Sequence, residues 1–490
     1  MKKKTLKILL IVAGVLALLI LAANIGLAHF IKNKIENNSS DYSFQVGETS
    51  VNLISRKVSL SNIRITSEKG DSARIKDIIV NDIFLGNLFH TDSLVIGSIT
   101  LNEGEGFFTK RESKKKDDTS KKFTLQIADV KIKNTRLQYI TDTTKGPIEV
   151  KKINLNLSNV RFNTVEKQKL TYENVLLDCE DITLPINDYL NFKIATLSAD
   201  NSTIKTTKLG IKTLYSKEEL QKHIKVQKDW IDLNIDSLNI KEYSKESSSK
   251  KSLFSSSTID IYKGDLEIYK NKLLPEPTKY KPLYSKALRN LPFDLKIDTI
   301  NIHNTQIKYV ERVKNFNQPG SITFTQINSI IKNINTLEGS GKTNIDIQSK
   351  FMGDADFKLL WVFDINNKAD YFTLHGNMKH LNADKINEFI KPNMNVETEG
   401  SIDSIVFDVY ANENNANGTF MMTYEDFKIS ILKENQNVVN KFVTSIANVF
   451  VPKDKLKNKE VSIEIQRNKQ KSFFNYFWLS VREGVKQTFL

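Results

Sequence analysis

Two short segments contain residues that could bind a phosphate or a metal ion, but neither completes the required pattern. Gly339–Thr343 (GSGKT) is similar to the end of a phosphate-binding loop. That loop needs another glycine five positions before Gly341, where this chain has Thr336. His375 and His380 match neither HExxH nor a zinc-finger spacing, so they are better interpreted as exposed strand histidines.

Two further segments also stop short of a reactive site. Asp364–Asn366 begins like a calcium loop, but Lys368 occupies a ligand position and no glycine stands at the sixth place. The single cysteine, Cys179, lies among acids, which raise a thiol pKa rather than activate the group. The sequence therefore predicts no catalytic residue, metal or cofactor, and a protein that is not an enzyme.

The segments that would position these side chains occur more than once in the sequence. Phe123–Tyr139 (FTLQIADVKIKNTRLQY) and Phe293–Tyr309 (FDLKIDTINIHNTQIKY) are identical at seven positions, and Leu190–Lys205 is a looser third copy. A repeat of this kind indicates a fold built by adding like units that bury their apolar faces together.

The apolar residues of each copy alternate with period two, which is typical of a strand with one face buried. The phase changes after Ile127 and Ile297, where we expect a bulge. It changes again at Lys133-Asn134-Thr135-Arg136 and His303-Asn304-Thr305-Gln306, where we expect a turn. The fold class predicted is mainly β: an elongated, curled antiparallel sheet of repeated amphipathic strands, with a few short helices. An ordinary β-sandwich core is the alternative.

One segment has the length of a membrane span. Ile8–Ala28 is apolar except for Asn24, and four lysines precede it. We therefore predict an uncleaved transmembrane helix, with the N-terminus in the cytoplasm and the bulk of the chain across the membrane. Cleavage after Gly26-Leu27-Ala28 is the alternative.

The net charge of +14 admits nucleic acid as a partner class. The basic residues are spread along polar strand faces among 57 acidic ones, and the densest run has no interleaved aromatic residues. We predict a solvated lysine-rich face and no nucleic acid, with attraction to anionic lipid headgroups as a secondary interpretation.

Composition divides the chain into six predicted segments. They are a cytoplasmic tail (1–7), the anchor (8–31), a first β-repeat region (41–243), a flexible linker and connector (244–292), a second β-repeat region (293–436), and a C-terminal segment of helix and strand (437–490).

Helices are predicted at four places. Ser216–Asp229 begins with a capping pattern, and Asn382–Ile390 stops before Pro392. Asn437–Val451 has apolar residues at helical spacing before Pro452. Ser472–Leu490 is rich in aromatic residues and either lies on a membrane surface or docks on the end of the sheet.

The chain resembles the AsmA-like envelope proteins of Gram-negative bacteria. The resemblance covers a lysine-rich start, one anchor and long repeated amphipathic strands. Its most telling part is the segment from Gly400 (GSIDSIVFD) through Asn417–Ile431 (NGTFMMTYEDFKISI). The lysine- and asparagine-rich composition suits a Bacteroidetes-type genome. The chain is shorter than the long lipid-bridging members.

The resemblance implies an inner-membrane, periplasmic protein that shields or transfers lipids in an apolar β-groove for outer-membrane biogenesis or maintenance. Its partners would be a phospholipid or another acyl-chain lipid, the inner membrane, and an outer-membrane or envelope protein. The candidate groove residues are Leu125, Ile127, Ile132, Leu295, Ile297 and Ile302. They serve equally well as core residues. The rival hypotheses are a non-enzymatic scaffolding module that binds envelope proteins and, more distantly, an envelope hydrolase.

Overall fold

The computed structural model describes residues 2–37, 42–84, 93–110, 124–141, 145–163, 170–247, 251–313, 318–432 and 459–489. Across these residues the protein is mainly β, with 21 strands in one mixed sheet and five α-helices. The predicted fold class is confirmed. The chain divides into two compact units: unit 1 is Met1–Asp188 with Phe192–Asn201, and unit 2 is Tyr189–Asn191 with Ser202–Leu490.

Unit 1 contains the N-terminal helix and the first strands. Its elements are α1 (Lys2–Glu36), β1 (Tyr42–Asn52), β2 (Lys57–Ser67), β3 (Ser72–Phe84), β4 (Ser93–Thr109), β5 (Thr124–Ile140), β6 (Ile148–Asn163), β7 (Leu170–Thr171), β8 (Asn174–Asn187) and most of β9 (Leu190–Ala199). Within α1, the 22 residues Val15–Glu36 are long and apolar enough to cross a membrane and are almost wholly unburied. The predicted membrane-length helix is therefore present.

Unit 2 contains the remaining strands and four short helices. Its strands are β10 (Thr203–Thr213), β11 (Asp229–Lys241), β12 (Ser244–Glu246), β13 (Leu253–Asn271), β14 (Asp294–Arg312), β15 (Gly320–Asn335), β16 (Thr343–Phe351), β17 (Ala355–Phe363), β18 (Phe372–Asn382), β19 (Val396–Ala411), β20 (Asn415–Ile431) and β21 (Glu460–Gln466). Its α-helices are α2 (Lys217–His223), α3 (Tyr284–Arg289), α4 (Asn387–Met394) and α5 (Phe473–Thr488).

In both units most strands pair antiparallel with their neighbour along the chain. In unit 1, β1 pairs with β2, β2 with β3, β3 with β4, β5 with β6, and β6 with β8. In unit 2 the same order runs from β10 to β21, with β12 hydrogen-bonded to one end of β13. Among the described strand pairs, each unit has one that is parallel, β4 with β5 and β13 with β14. The expectation of a purely antiparallel sheet is wrong at these two steps.

The parallel pairs reveal a larger repeat than the sequence shows. The two strong copies are β5 and β14, and each lies between a parallel and an antiparallel neighbour in the same register. Glu103-Gly104 on β4 corresponds to Lys263-Gly264 on β13. The structural repeat is therefore three strands, β4–β5–β6 in unit 1 and β13–β14–β15 in unit 2.

Each copy contains a residue in the left-handed region where a turn was predicted. Asn134 has φ 50° and Asn304 has φ 47°, yet β5 and β14 continue through them. The Asn134 N–H donates to Asn154 Oδ1 at 3.0 Å, and the Asn304 N–H donates to Asn328 Oδ1 at 3.1 Å. The predicted turn is wrong because a side chain on the next strand satisfies the kinked backbone and keeps the strand paired.

The bulge predicted after Ile127 and Ile297 takes a different form. The pairing of β5 with β6 keeps the same register on both sides of Ala128, and the left-handed residue is Asn159 on the neighbouring strand, with φ 51°. Asn333 stands at the same place in the second copy, with φ 59°. The register shifts lie instead around Thr135 and Thr305.

Two other sequence expectations differ from the structure. Leu190–Lys205 is not a third copy of the long strand, because β9 ends at Ala199 and β10 begins at Thr203. The segment 244–292 is not a linker, since it holds β12, the 19-residue β13 and α3. The boundary between the two units falls at residues 188–202 instead.

Two of the predicted helices have the expected N-terminal cap but differ from the prediction in extent. Ser216 caps α2 through a reciprocal capping box with Glu219, but the helix ends at His223 rather than Asp229. Asn382 accepts from the Asp384 N–H at 2.9 Å and starts a 3₁₀ turn (Ala383–Ile386) that leads into α4. Pro392 lies inside α4 rather than ending it. The helix predicted at Asn437–Val451 lies outside the described residues.

Candidate functional site

The apolar face of β5 is the centre of the candidate site in unit 1. Ile96 on β4, Ile127 on β5 and Val160 on β6 form a buried cluster across three strands. Ile127 pairs with Ile96 on one side and with Val160 on the other. Their side chains meet because strands in a sheet lie about 4.8 Å apart, so residues on one face of neighbouring strands touch.

Partly exposed aliphatic side chains surround this cluster. They share the sheet face with Ile127 and are half-buried: Val80, Leu94, Ile99, Leu125, Val130 and Leu157. Val130 has the opposite parity to Ile127 yet packs against the same cluster, so the predicted change of phase is real. Ile132, two residues further along, pairs with Leu101 and Leu155 and is also half-buried.

Among the described residues of unit 1, strands β3 to β8 make their main contacts with neighbouring strands, and α1 packs on β1. A sheet face covered by a second layer would bury its aliphatic side chains. Here only Ile96, Ile127 and Val160 reach full burial within this cluster. This arrangement leaves an apolar surface that could hold hydrocarbon chains.

The second copy places its three predicted residues in a comparable setting. Leu295, Ile297 and Ile302 on β14 are all half-buried. Ile297 pairs with Ile334 on β15, and Ile302 pairs with Ile261 on β13. The Leu295 N–H donates to Thr336 Oγ1 at 2.9 Å. Each copy therefore brings its own three candidates onto one strand.

The C-terminal part of unit 2 has a closed core instead. Helix α5 packs against residues of β17 to β21. Phe473 stacks on Trp361 with ring centroids 4.2 Å apart, and Phe477 lies against Phe407. Gly484 approaches Phe420 so closely that a Cβ there would lie 2.5 Å from the Phe420 Cβ. Of the two interpretations of this segment, the docked helix is the one observed.

The opposite surface of the strands is polar and paired. Lys76 Nζ lies 2.7 Å from Glu103 Oε1, and Lys152 Nζ lies 2.7 Å from Glu180 Oε1. The hydrogen bond that Lys76 donates to Glu103 raises the pKa of Lys76. These side chains are exposed, so each pair contributes little to stability and keeps this surface in water.

One buried carboxylate stands out in the second copy. Asp260 on β13 lies 2.9 Å from Lys241 Nζ and accepts from Asn301 Nδ2 at 2.8 Å. The hydrogen bond from Lys241, followed by that from Asn301, lowers the pKa of Asp260. It connects β11, β13 and β14 by charge-assisted bonds.

The segments with partial chemical motifs take structural roles. Gly339–Thr343 leads into strand β16, and Thr343 Oγ1 donates to Asn333 O at 2.7 Å. His375 and His380 are exposed on β18, as predicted, and His375 Nδ1 lies 2.6 Å from Asp408 Oδ1. Asp364 Oδ1 accepts from the Asn366 N–H at 2.9 Å in a tight turn.

The remaining chemically reactive groups are the Cys179 thiol and the side chains that can ligate metal ions. Burial, followed by the Asp178 charge, raises the pKa of the Cys179 thiol, in agreement with the sequence expectation. Across the described residues, no group of three or more His, Cys, Asp and Glu side chains is placed to hold a metal ion.

Sequence reasoning missed four residues that contribute to the site. Ile96 and Val160 belong to strands without obvious sequence similarity to a repeat copy, and only the pairing reveals them. Asn154 and Asn328 accept the hydrogen bonds from the kinked backbone, and only the structure shows these two contacts.

Comparison with known proteins gives no family for this chain. No family model matches it, and it has no significant match among curated proteins or solved structures.

Proposed function

We propose that this protein is a membrane-anchored, AsmA-like envelope protein that shields or transfers lipids along the apolar face of its sheet. It would lie in the inner membrane with its N-terminus in the cytoplasm and the bulk of the chain in the periplasm. Its role would be outer-membrane biogenesis or maintenance, without enzymatic activity.

The observation that carries the proposal is the half-buried aliphatic surface that surrounds Ile96, Ile127 and Val160 in unit 1, whose described strands make their main contacts with neighbouring strands. A phospholipid could lay its acyl chains there while its headgroup stays in water, because removing hydrocarbon from water is favourable by about 25 cal/mol per Å². The membrane-length helix α1 would keep this surface beside a source of lipid.

The alternative function is a scaffold that binds an envelope protein through the same surface. A partly exposed apolar surface supports either partner, since either one would remove apolar side chains from water on binding. The two differ in what stays on the purified protein, which is acyl-chain lipid in one case and polypeptide in the other.

The test is lipid retention by the detergent-solubilised full chain, measured by mass spectrometry after gentle purification. We expect Leu125→Asp to lower the retained phospholipid several-fold, since a charge on this surface opposes contact with acyl chains. Gln126→Asp is the matched control, because Gln126 is the next residue on the same strand and is exposed.

The outcome that would sink the proposal is lipid-free wild-type protein, or equal lipid on both variants. Thermal unfolding of the two variants separates lost binding from lost folding. Leu295→Asp with Lys296→Asp repeats the comparison on β14, where Lys296 is the exposed neighbour.

A further inference from the structure

The first hairpin lies against the membrane-length helix. Among the described residues, three hydrogen bonds join helix α1 to β1 and its turn. Glu36 Oε1 accepts from the Val46 N–H at 2.9 Å, and Lys32 Nζ donates to Gly47 O at 2.9 Å. Asn24 Oδ1 accepts from the Leu53 N–H at 2.9 Å. Helix α1 therefore runs beside β1 from the middle of that strand to the β1–β2 turn.

One of these contacts, the one made by Asn24, lies within the apolar stretch Ile8–Ala28. Asn24 is four residues before Ala28, so at 1.5 Å per residue it lies about 6 Å inside the end of that stretch. An amide at that depth needs a partner, because unpaired polar groups are costly in hydrocarbon. The Leu53 N–H supplies it, which places the hairpin turn at the same depth.

The side chains at this turn suit a lipid surface. Ile54 is 77% exposed, and Leu53 and Phe84 are each 43% exposed. Arg56 lies over the Phe84 ring at 4.3 Å and pairs with Asp82 at 3.2 Å. Apolar tips flanked by a basic residue are the composition that enters the headgroup region of a bilayer.

The candidate lipid surface lies at the same end of the strands as the β1–β2 turn. The Ile83 N–H donates to Arg56 O, and Ile83 pairs with Ile96. Ile96, Ile127 and Val160 are therefore level with the hairpin turn along the strands.

From this geometry we propose that the β1–β2 turn, with Leu53, Ile54 and Phe84, inserts into the bilayer leaflet where α1 leaves the membrane. The occupant of this surface is the lipid bilayer itself. The inference depends on α1 crossing a membrane and is independent of lipid transfer, so it stands or falls separately from the proposed function.

The test places a single environment-sensitive fluorophore on the turn of the full chain. Ile54→Cys is made in a Cys179→Ala background, labelled, and reconstituted in vesicles of phosphatidylethanolamine and phosphatidylglycerol. We expect quenching by lipids with a doxyl group near the headgroup end of the acyl chain to be about threefold stronger than for a solvent-exposed site. Quenching by aqueous iodide should fall correspondingly.

Ile186→Cys is the matched control. Ile186 is an exposed isoleucine of unit 1, 42% accessible, and lies at the opposite end of its strand from the turn. Equal doxyl quenching at both sites, or iodide quenching at position 54 as strong as at 186, would overturn the proposal. Circular dichroism of both labelled proteins confirms that neither label disturbs the fold.

Discussion

At the scale of single residues, the kinks at Asn134 and Asn304 show how long strands bend without leaving the sheet. Both asparagines have a positive φ, a region that asparagine tolerates better than most residues. Each kinked N–H is bonded by an asparagine of the following strand. The local strain is thus offset by one side-chain contact that recurs in both copies.

Asn304→Val should therefore destabilise the protein by about 2 kcal/mol relative to Asn304→Gly, because a β-branched residue is strained at positive φ and glycine is not. Thermal unfolding of the detergent-solubilised full chain measures the difference. Lys308→Val is the control, since Lys308 is exposed on the same strand and is absent from the left-handed positions. Equal stability of the Val and Gly variants would contradict the strain argument.

Asp260 predicts a pH dependence. The pKa of Asp260 is lowered in the folded state. Its ionised form therefore contributes to the free energy of unfolding above the unfolded-state pKa of about 3.9, and this contribution is lost as the pH falls through the folded-state pKa. Asp260→Asn should cost about 1–3 kcal/mol at neutral pH, and the gap from wild type should shrink in acid.

Unfolding measured at pH values of about 7 and about 3 checks this pH dependence. Asp265→Asn removes the same charge from an exposed position on β13 and should leave stability nearly unchanged at both. A gap for Asp260→Asn that stays constant with pH would exclude the ionised pair as its cause.

At the scale of elements, α5 turns an apolar sheet face into a core. Its buried residues Phe473, Tyr476 and Ser480 are spaced three or four apart, which puts them on one side of the helix. Ser472 Oγ accepts from the Asn475 N–H at 3.3 Å and fixes where the helix begins. In sequence the segment resembles a membrane-surface helix, but Phe473, Tyr476 and Phe477 pack on strands.

Neighbouring phenylalanines at the start of α5 provide the test of this docking. Phe473 is buried against Trp361, whereas Phe474 is 63% exposed. Phe473→Ala should lower the free energy of unfolding by about 3–5 kcal/mol, and Phe474→Ala by less than about 1 kcal/mol. Thermal unfolding in the same detergent compares them. A larger loss for Phe474→Ala would favour a helix that lies on the membrane.

At the scale of the whole molecule, the period-two pattern was sufficient to predict the strand class and the apolar faces, because alternation depends only on local geometry. It failed at the Ser-rich segment before Thr258. Ser256 is buried in β13, and its hydroxyl donates to Lys241 O at 2.8 Å. A polar run predicts a linker when it is taken alone, but here neighbouring strands supply the hydrogen bonds that its polar side chains need.

The contrast between the surface around Ile127 and the closed core under α5 was also beyond the sequence. The aliphatic residues around Ile127 and those around Phe407 follow the same alternation. The difference is that helix α5 packs on the residues around Phe407. This helix comes from a segment of the chain that is distant in sequence. Long-range packing of this kind leaves no mark in the local pattern.

The pairing of nearly every strand with its neighbour in sequence has a consequence for how the protein forms. As the chain emerges, each new strand finds a partner already in place and closes only a short loop, which keeps the entropic cost of each addition small. The two parallel steps interrupt this order. In the parallel pair β13–β14, Leu253 pairs with Asp294. This pairing can form only after the rest of β13 and the connection that holds α3 have been added. Folding should therefore advance strand by strand along each unit and pause at β5 and β14, the two strands that carry the repeat.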